Sequence, residues 1–279
     1  MLFRSDKQTT NGKASLFLEK GTILGADRSY KESILSCEKA IEIKPNYYLA
    51  WLLRGISLSA LDRDKEAIMS YEKAIEIKPD YHEAWYILGL LLSTLGRNEE
   101  AIASYDKVVE IKPNFHRTWF NRGNLLYTLG REKEAIESYE KAIEVKPDLH
   151  EAWSNRGLLL SILGREEEAI ASFDKAVGIK PNSHEAWSNR SNSLSALGRK
   201  EDAIASCNKA IEIKPDYPNA YYNRACAYSL QGNFDFAISD LAEAIRLAPK
   251  ECRKRAATDS DFEVLRQDAR FWRIVNEEC

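Results

Sequence analysis

Apolar and polar positions along the chain recur with a long period. Tryptophan stands at Trp51, Trp85, Trp119, Trp153 and Trp187, each 34 residues after the one before, and Tyr221 follows in step. Pro45, Pro79, Pro113, Pro147, Pro181, Pro215 and Pro249 keep the same spacing, with close variants of "YEKAIEIKP" between them. A fixed period of about 20–50 residues marks a chain built from stacked structural repeats. Seven such units, 14–47, 48–81, 82–115, 116–149, 150–183, 184–217 and 218–251, run without insertion between a tail (1–13) and a C-terminal segment (252–279).

Within a unit the shorter period is helical. Tryptophan at position 4, glycine at 8 and an apolar residue at 11 share one face of a first helix. "LGR", as at Leu129–Arg131, ends that helix, because glycine suits the left-handed residue that follows it. Alanine at 20, Tyr, Phe or Cys at 24 and alanine at 27 then line one face of a second helix. Proline at 32 stops it, having no N–H to continue the ladder. Glycine and the alanines let the two helices approach while the aromatic fills the space beside them.

The pattern resembles the tetratricopeptide repeat (TPR). The first unit departs most, with Phe17 for tryptophan, Lys20 for leucine, and Ser33 and Cys37 at the later positions; the sixth has Ser191 for glycine. The resemblance implies an all-α, right-handed superhelical solenoid of seven helix-turn-helix repeats, its first helices lining a concave groove. A solenoid needs a polar cap on its last repeat. Ser260–Glu263 reads S-x-x-E, a helix-starting capping box, and Phe262, Leu265, Ala269 and Trp272 recur at helical spacing. A C-terminal capping helix is therefore expected over 252–279.

Composition narrows the function. The chain is 44% hydrophobic and 30% charged, with 40 basic and 43 acidic residues and a net charge of −3. That balance offers no basic field for nucleic acid or an anionic membrane. The longest apolar run, Ile87–Leu92, is far below the ~20 residues of a membrane helix, and "MLFRSDKQTTNGK" lacks a signal-peptide core. Five cysteines without a C-x-x-C pair argue against disulfides and zinc. A cytoplasmic protein without cofactors is expected.

Candidate chemistry dissolves into the repeat. His82, His116, His150 and His184 all fall at position 1; repeats about 10 Å apart cannot bring them to one metal, whose ligands lie about 2 Å away. Cys37 and Cys207 stand where other repeats carry Tyr or Phe, and Cys226 has no histidine in register. No nucleophile, base and oxyanion site assembles, so no enzyme is expected.

What remains is the face opposite Trp and Gly, which the resemblance turns toward the groove. Position 6 carries Asn121, Asn155, Asn189 and Asn223 in successive repeats, with Asn124 and Asn192 nearby. An asparagine amide offers one donor group and one acceptor, matching a peptide bond. Rungs about 10 Å apart would meet an extended chain about every third residue, at ~3.3 Å per residue. Leu53, Ile87, Leu90 and Phe120 make the earlier repeats apolar, and such a patch marks a contact site unless covered. The carboxylate clamp that the resemblance offers for acidic C-terminal tails needs lysine at position 5, where Leu18, Leu52, Tyr86, Phe120, Ser154, Ser188 and Tyr222 stand. The expected function is a non-catalytic scaffold that binds an extended peptide segment of another protein. The alternative is a self-associating structural assembly protein that uses the apolar half of the groove or the solenoid ends; separately, the chain's own "MLF" start is a candidate cover for the apolar half.

Overall fold

The computed structural model describes residues 10–276, and among them every regular element is helical. The chain divides into two compact units, one ending at Ser138 and the other beginning at Tyr139. The first contains α1 (Thr10–Ala26), α2 (Tyr30–Ile43), α3 (Tyr48–Ser59), α4 (Asp64–Ile77), α5 (His82–Thr94), α6 (Asn98–Ile111) and α7 (His116–Thr128). The boundary falls within α8 (Glu132–Val145). The second unit continues with α9 (His150–Ile162), α10 (Glu166–Ile179), α11 (His184–Ala196), α12 (Lys200–Ile213), α13 (Pro218–Gln231) and α14 (Phe234–Leu247). It ends with α15 (Pro249–Ala256), two 3-10 turns (Ser260–Phe262, Leu265–Gln267) and α16 (Ala269–Asn276). Inside each unit, helices pack in consecutive pairs, and each pair packs against the next. No described helix is long and apolar enough to cross a membrane.

Local chemistry sets both turns of a repeat. Gly96, Gly164 and Gly198 close their first helices at φ near +70° (+73°, +72° and +71°), a region that side-chain-bearing residues adopt at a cost. Arg28 and Asp62 occupy the same place in the first two repeats at φ 60° and 58°. Second helices end at the residue before proline. Lys44, Lys78 and Lys112 leave the helical region at φ −139°, −136° and −137°, as the following proline ring demands. Each tryptophan then reaches back across this turn. The indole N–H of Trp51, Trp85, Trp119, Trp153 and Trp187 donates to the carbonyl of the preceding proline at 2.8–2.9 Å.

The core forms where first and second helices touch. Tyr71, Tyr105 and Phe173 are buried, and each lies against a glycine of its partner helix. A Cβ on Gly55, Gly89 or Gly157 would fall 2.4, 2.7 or 2.8 Å from the ring of Tyr71, Tyr105 or Phe173. The divergent repeats obey the same constraint with smaller partners. Gly21 faces Cys37, and in the sixth repeat Ser191, its hydroxyl donating to the Ser188 carbonyl at 2.6 Å, is paired with Cys207.

Both ends differ from the sequence reading. α1 already includes 10–13, inside the segment assigned to the tail. The single capping helix expected over 252–279 is divided. Pro249 stands in the first turn of α15, where its missing N–H costs nothing. Asp259, rather than Ser260, caps the following turn, accepting from the Asp261 N–H at 3.1 Å. Extended Asp268 separates this segment from α16, and the break shifts the helical phase. Phe262 and Leu265 are buried as expected, but Phe271 and Val275 join them in place of Ala269 and Trp272. Trp272 instead donates to the Arg266 carbonyl at 2.9 Å.

Two glycine substitutions test this packing. Gly55→Ala should destabilise the protein by about 1–3 kcal/mol through overpacking against Tyr71. Gly178→Ala, in α10 with nothing within 4 Å of the added carbon, should stabilise it by up to about 1 kcal/mol through helix propensity. Urea unfolding followed by circular dichroism measures both; equal effects would refute the close-approach account.

Candidate functional site

In the first unit the face opposite Trp and Gly is apolar on α3 and α5 and at Phe120 of α7, and parts of it are incompletely covered. Ile87 and Leu90 line a cleft of about 320 Å³ with Leu91, Tyr71, Ser59, Thr94 and two carboxylates, Asp62 and Asp64. Ile56 and Leu90 are each 38% exposed, although the core beneath them is closed. Leu53 is less available, since its methyl groups pack on α1 at Gly21 and Gly25. Phe120 is half-buried. The Tyr86 ring stands 5.0 Å from that of Phe115, and its hydroxyl accepts from the Asn121 amide at 3.1 Å. The "MLF" segment lies outside the described residues.

In the second unit the asparagines are not equivalent rungs. Asn155 approaches the Tyr139 hydroxyl at 3.5 Å, a weak geometry. Asn189 is half-buried, and no hydrogen bond of its side chain is formed among the described residues. Asn223 is only 6% exposed, and its amide donates to the Ser188 carbonyl at 3.2 Å and the Ser188 hydroxyl at 3.0 Å. Position 6 therefore ties one repeat to the preceding one at Asn121 and Asn223. Asn124 is half-buried and Asn192 exposed.

Asn192 and Asn223 line a cleft of about 270 Å³ closed by the C-terminal segment. There Asp259 accepts from the Tyr222 hydroxyl at 2.8 Å and stands 4.0 Å from the Cys226 sulfur. Burial, the charge of Asp259 and that of Asp261 hold the Cys226 thiol well above its ordinary pKa. Burial and Asp259 likewise raise the Asp261 carboxyl. A nucleophilic cysteine needs a depressed pKa, so this arrangement disfavours thiolate chemistry. Donor atoms of Cys226, Asp259 and Asp261 lie within 4.8 Å of one another, with Asp259 already engaged as a hydrogen-bond acceptor. The histidines instead serve the repeat turns: His82 accepts from Lys112 at 2.9 Å, and His184 stacks edge-on with Tyr217 at 4.6 Å.

A second periodic feature escaped the sequence reading. Position 7 carries Arg54, Arg122, Arg156 and Arg190. Each guanidinium joins a carboxylate at position 25 of the preceding repeat (Glu38, Asp106, Glu140, Asp174) at 2.6–3.1 Å. It also joins the serine at position 23 of its own repeat (Ser70, Ser138, Ser172, Ser206) at 2.6–2.8 Å. Arg224 keeps the bridge with the partners exchanged. Its carboxylate is Asp240 at position 23, with both contacts at 2.7 Å, and its neutral partner is Asn208 at position 25, at 2.6 Å. The 34-residue spacing of these arginines, and the Ser-for-Asp and Asp-for-Asn exchange, were the available signals.

The exchange makes a testable pair. Asp240→Ser should cost about 2 kcal/mol by stranding a largely buried cation, discounted for its residual solvent contact. Adding Asn208→Asp restores the layout of the other junctions and should recover at least half of the loss. Urea midpoints of the single and double variants decide it; a double variant no more stable than the single one would refute the bridge.

Comparison with known proteins agrees with the geometry. Models described as "Tetratricopeptide repeat" match residues 14–47, 82–115, 116–149, 150–183 and 218–251. One described as "TPR repeat" matches 58–96 and 191–232. A search of curated proteins gives no match. Among solved structures, YrrB, "a TPR protein with an unusual peptide-binding site", is 26% identical with a TM-score of 0.58, covering 64% of this chain and 93% of its own. MamA is 24% identical with a TM-score of 0.57, over 64% and 95%. The C-terminal part of a TPR repeat-containing protein from Cytophaga hutchinsonii is 18% identical with a TM-score of 0.71, over 85% and 98%. Helix pairs of 34-residue period, glycine–aromatic contacts between their helices and the matching family models all coincide, and the chain belongs to the tetratricopeptide repeat family.

Proposed function

We propose that this TPR scaffold is a non-catalytic interaction protein that binds extended polypeptide along its first helices. The observation that carries the reading is the cleft of the first unit, where the apolar side chains of exposed Leu90 and half-buried Ile87 are left uncovered beside Asp62 and Asp64. Ile87 and Leu90, with Phe120, take apolar anchors of the bound segment. Such open apolar surface over a closed core is characteristic of contact sites. In the second unit Asn155, Asn189 and Asn192 hydrogen-bond the backbone. Asn121 and Asn223, whose amide groups serve the neighbouring repeat, contribute their side-chain carbonyls as acceptors. Support also comes from YrrB, the TPR protein described as having a peptide-binding site. A second reading, self-association, draws on Leu16 and Ile23 of α1, which are 54% and 57% exposed.

The test compares wild type with Leu90→Asp and with Asn155→Ala/Asn189→Ala in lysate pull-downs, after circular dichroism confirms folding. A protein retained by wild type should be lost from Leu90→Asp, and its isolated segment should bind the double asparagine variant about tenfold more weakly, the effect of about 1.4 kcal/mol of lost hydrogen bonding. Identical profiles for the folded variants would reject peptide binding at these residues. Light scattering over a concentration series addresses the second reading, which a stable monomer removes.

A further inference from the structure

The arginine bridge is formed at Arg54, Arg122, Arg156, Arg190 and Arg224, and it is missing at the junction between the second and third repeats. There Leu88 occupies position 7. Leucine ends at its δ carbons, so it fills the space of an arginine stem and supplies no guanidinium. Both acceptors remain in place. Glu72 is the carboxylate at position 25 of the second repeat, exposed and without a hydrogen bond or ion pair among the described residues. Ser104 is the serine at position 23 of the third repeat. It is 3% exposed and donates to the Glu100 carbonyl at 2.9 Å. Ser70, Ser138, Ser172 and Ser206 make the same bond to their own helix at 2.8–2.9 Å, and each also accepts from a guanidinium. Ser104 thus presents an acceptor lone pair that its counterparts use.

Between these acceptors the surface opens. Glu72, Ile75, Trp85, Leu88, Leu92 and Ser104 line a cleft of about 410 Å³ within the first unit. Arg97 also lines this cleft, and it is committed to Glu100 through contacts of 2.7 and 2.6 Å, as Arg63, Arg131 and Arg165 are to the corresponding carboxylates. We propose that this cleft is a binding site for an arginine side chain of a partner polypeptide, which supplies in trans the guanidinium that the other junctions hold in cis. The chemistry is specific. A guanidinium offers several N–H donors in one plane, and the repeated bridge elsewhere in the chain presents a carboxylate and a serine oxygen to that plane. The apolar walls formed by Ile75, Trp85 and Leu92 accept the aliphatic stem and an apolar neighbour. A free amino acid leaves those walls uncovered, and this favours a peptide. The site lies beside the second helices, apart from the groove residues of the proposed function.

The experiment is an amide NMR titration of the deuterated full chain with acetyl-Leu-Arg-Leu-amide, its citrulline counterpart and free L-arginine. Citrulline keeps the shape of arginine and removes the charge. The arginine peptide should give saturable shifts centred on Glu72, Leu88 and Ser104, with binding at least about tenfold weaker for the citrulline peptide, which loses the charge-assisted bond, and for L-arginine, which leaves the apolar walls uncovered. Leu88→Arg, which restores the bridge in cis, should abolish those shifts, and Glu72→Gln should weaken binding by a similar factor. Leu90→Asp should leave it unchanged, so the groove and this site are judged separately. Absence of saturable shifts, equal binding of the citrulline peptide or of free arginine, or shifts that persist in folded Leu88→Arg would overturn the proposal. If Leu88→Arg does not fold, Glu72→Gln, at an exposed position, decides alone.

Discussion

Everything in a repeat depends on how closely its two helices approach. At Gly55, Gly89 and Gly157 the approach leaves no room for even one carbon, because the ring of Tyr71, Tyr105 or Phe173 already occupies it. Protein interiors are packed to crystal-like density, so volume added on one side must be removed on the other. The chain follows this rule in its irregular repeats. Where Ser191 replaces the glycine, Cys207 replaces the aromatic; where Ala225 replaces it, Leu241 does. The spacing of the two helices is preserved while the residues that set it change.

A second constraint joins one repeat to the next. Close packing within a pair says nothing about how pairs stack, and the bridges of Arg54, Arg122, Arg156, Arg190 and Arg224 supply that link. Each uses a planar fork to engage one partner on the preceding repeat and one on its own. Tryptophan N–H groups satisfy proline carbonyls in the same turns. Asn121 and Asn223 add a further tie on the groove side. Side chains that stand unpaired in a linear reading are thus engaged in stacking, while Leu90 and Asn192 stay exposed.

The thiols follow from the same packing. Cys37 and Cys207 occupy the aromatic site, fully buried, and burial pushes their pKa values up to about 11 and 12. Cys226 is pressed beneath two carboxylates of the C-terminal segment. Each is a small core residue in an environment that opposes ionisation.

How much was legible depended on whether the signal was periodic. Helix pairs, their turns and the glycine–aromatic core were readable because the same local physics repeats every 34 residues. The C-terminal segment occurs once, so nothing averaged its pattern. Helical spacing continued across Asp268 places Trp272 in the core, but the backbone turns extended there and the burial phase moves to Phe271. The asparagine ladder was periodic too, yet its meaning was not. An identical residue in register can be open or tied to a neighbouring repeat, and only the distances to Tyr86 and Ser188 show that the Asn121 and Asn223 amides are tied. The sequence by itself determined the all-helical repeat, because helix propensity, turn chemistry and steric fit are local and recur. The tertiary structure alone decided which polar groups are already paired and which remain open, because pairing depends on side chains brought together from different repeats.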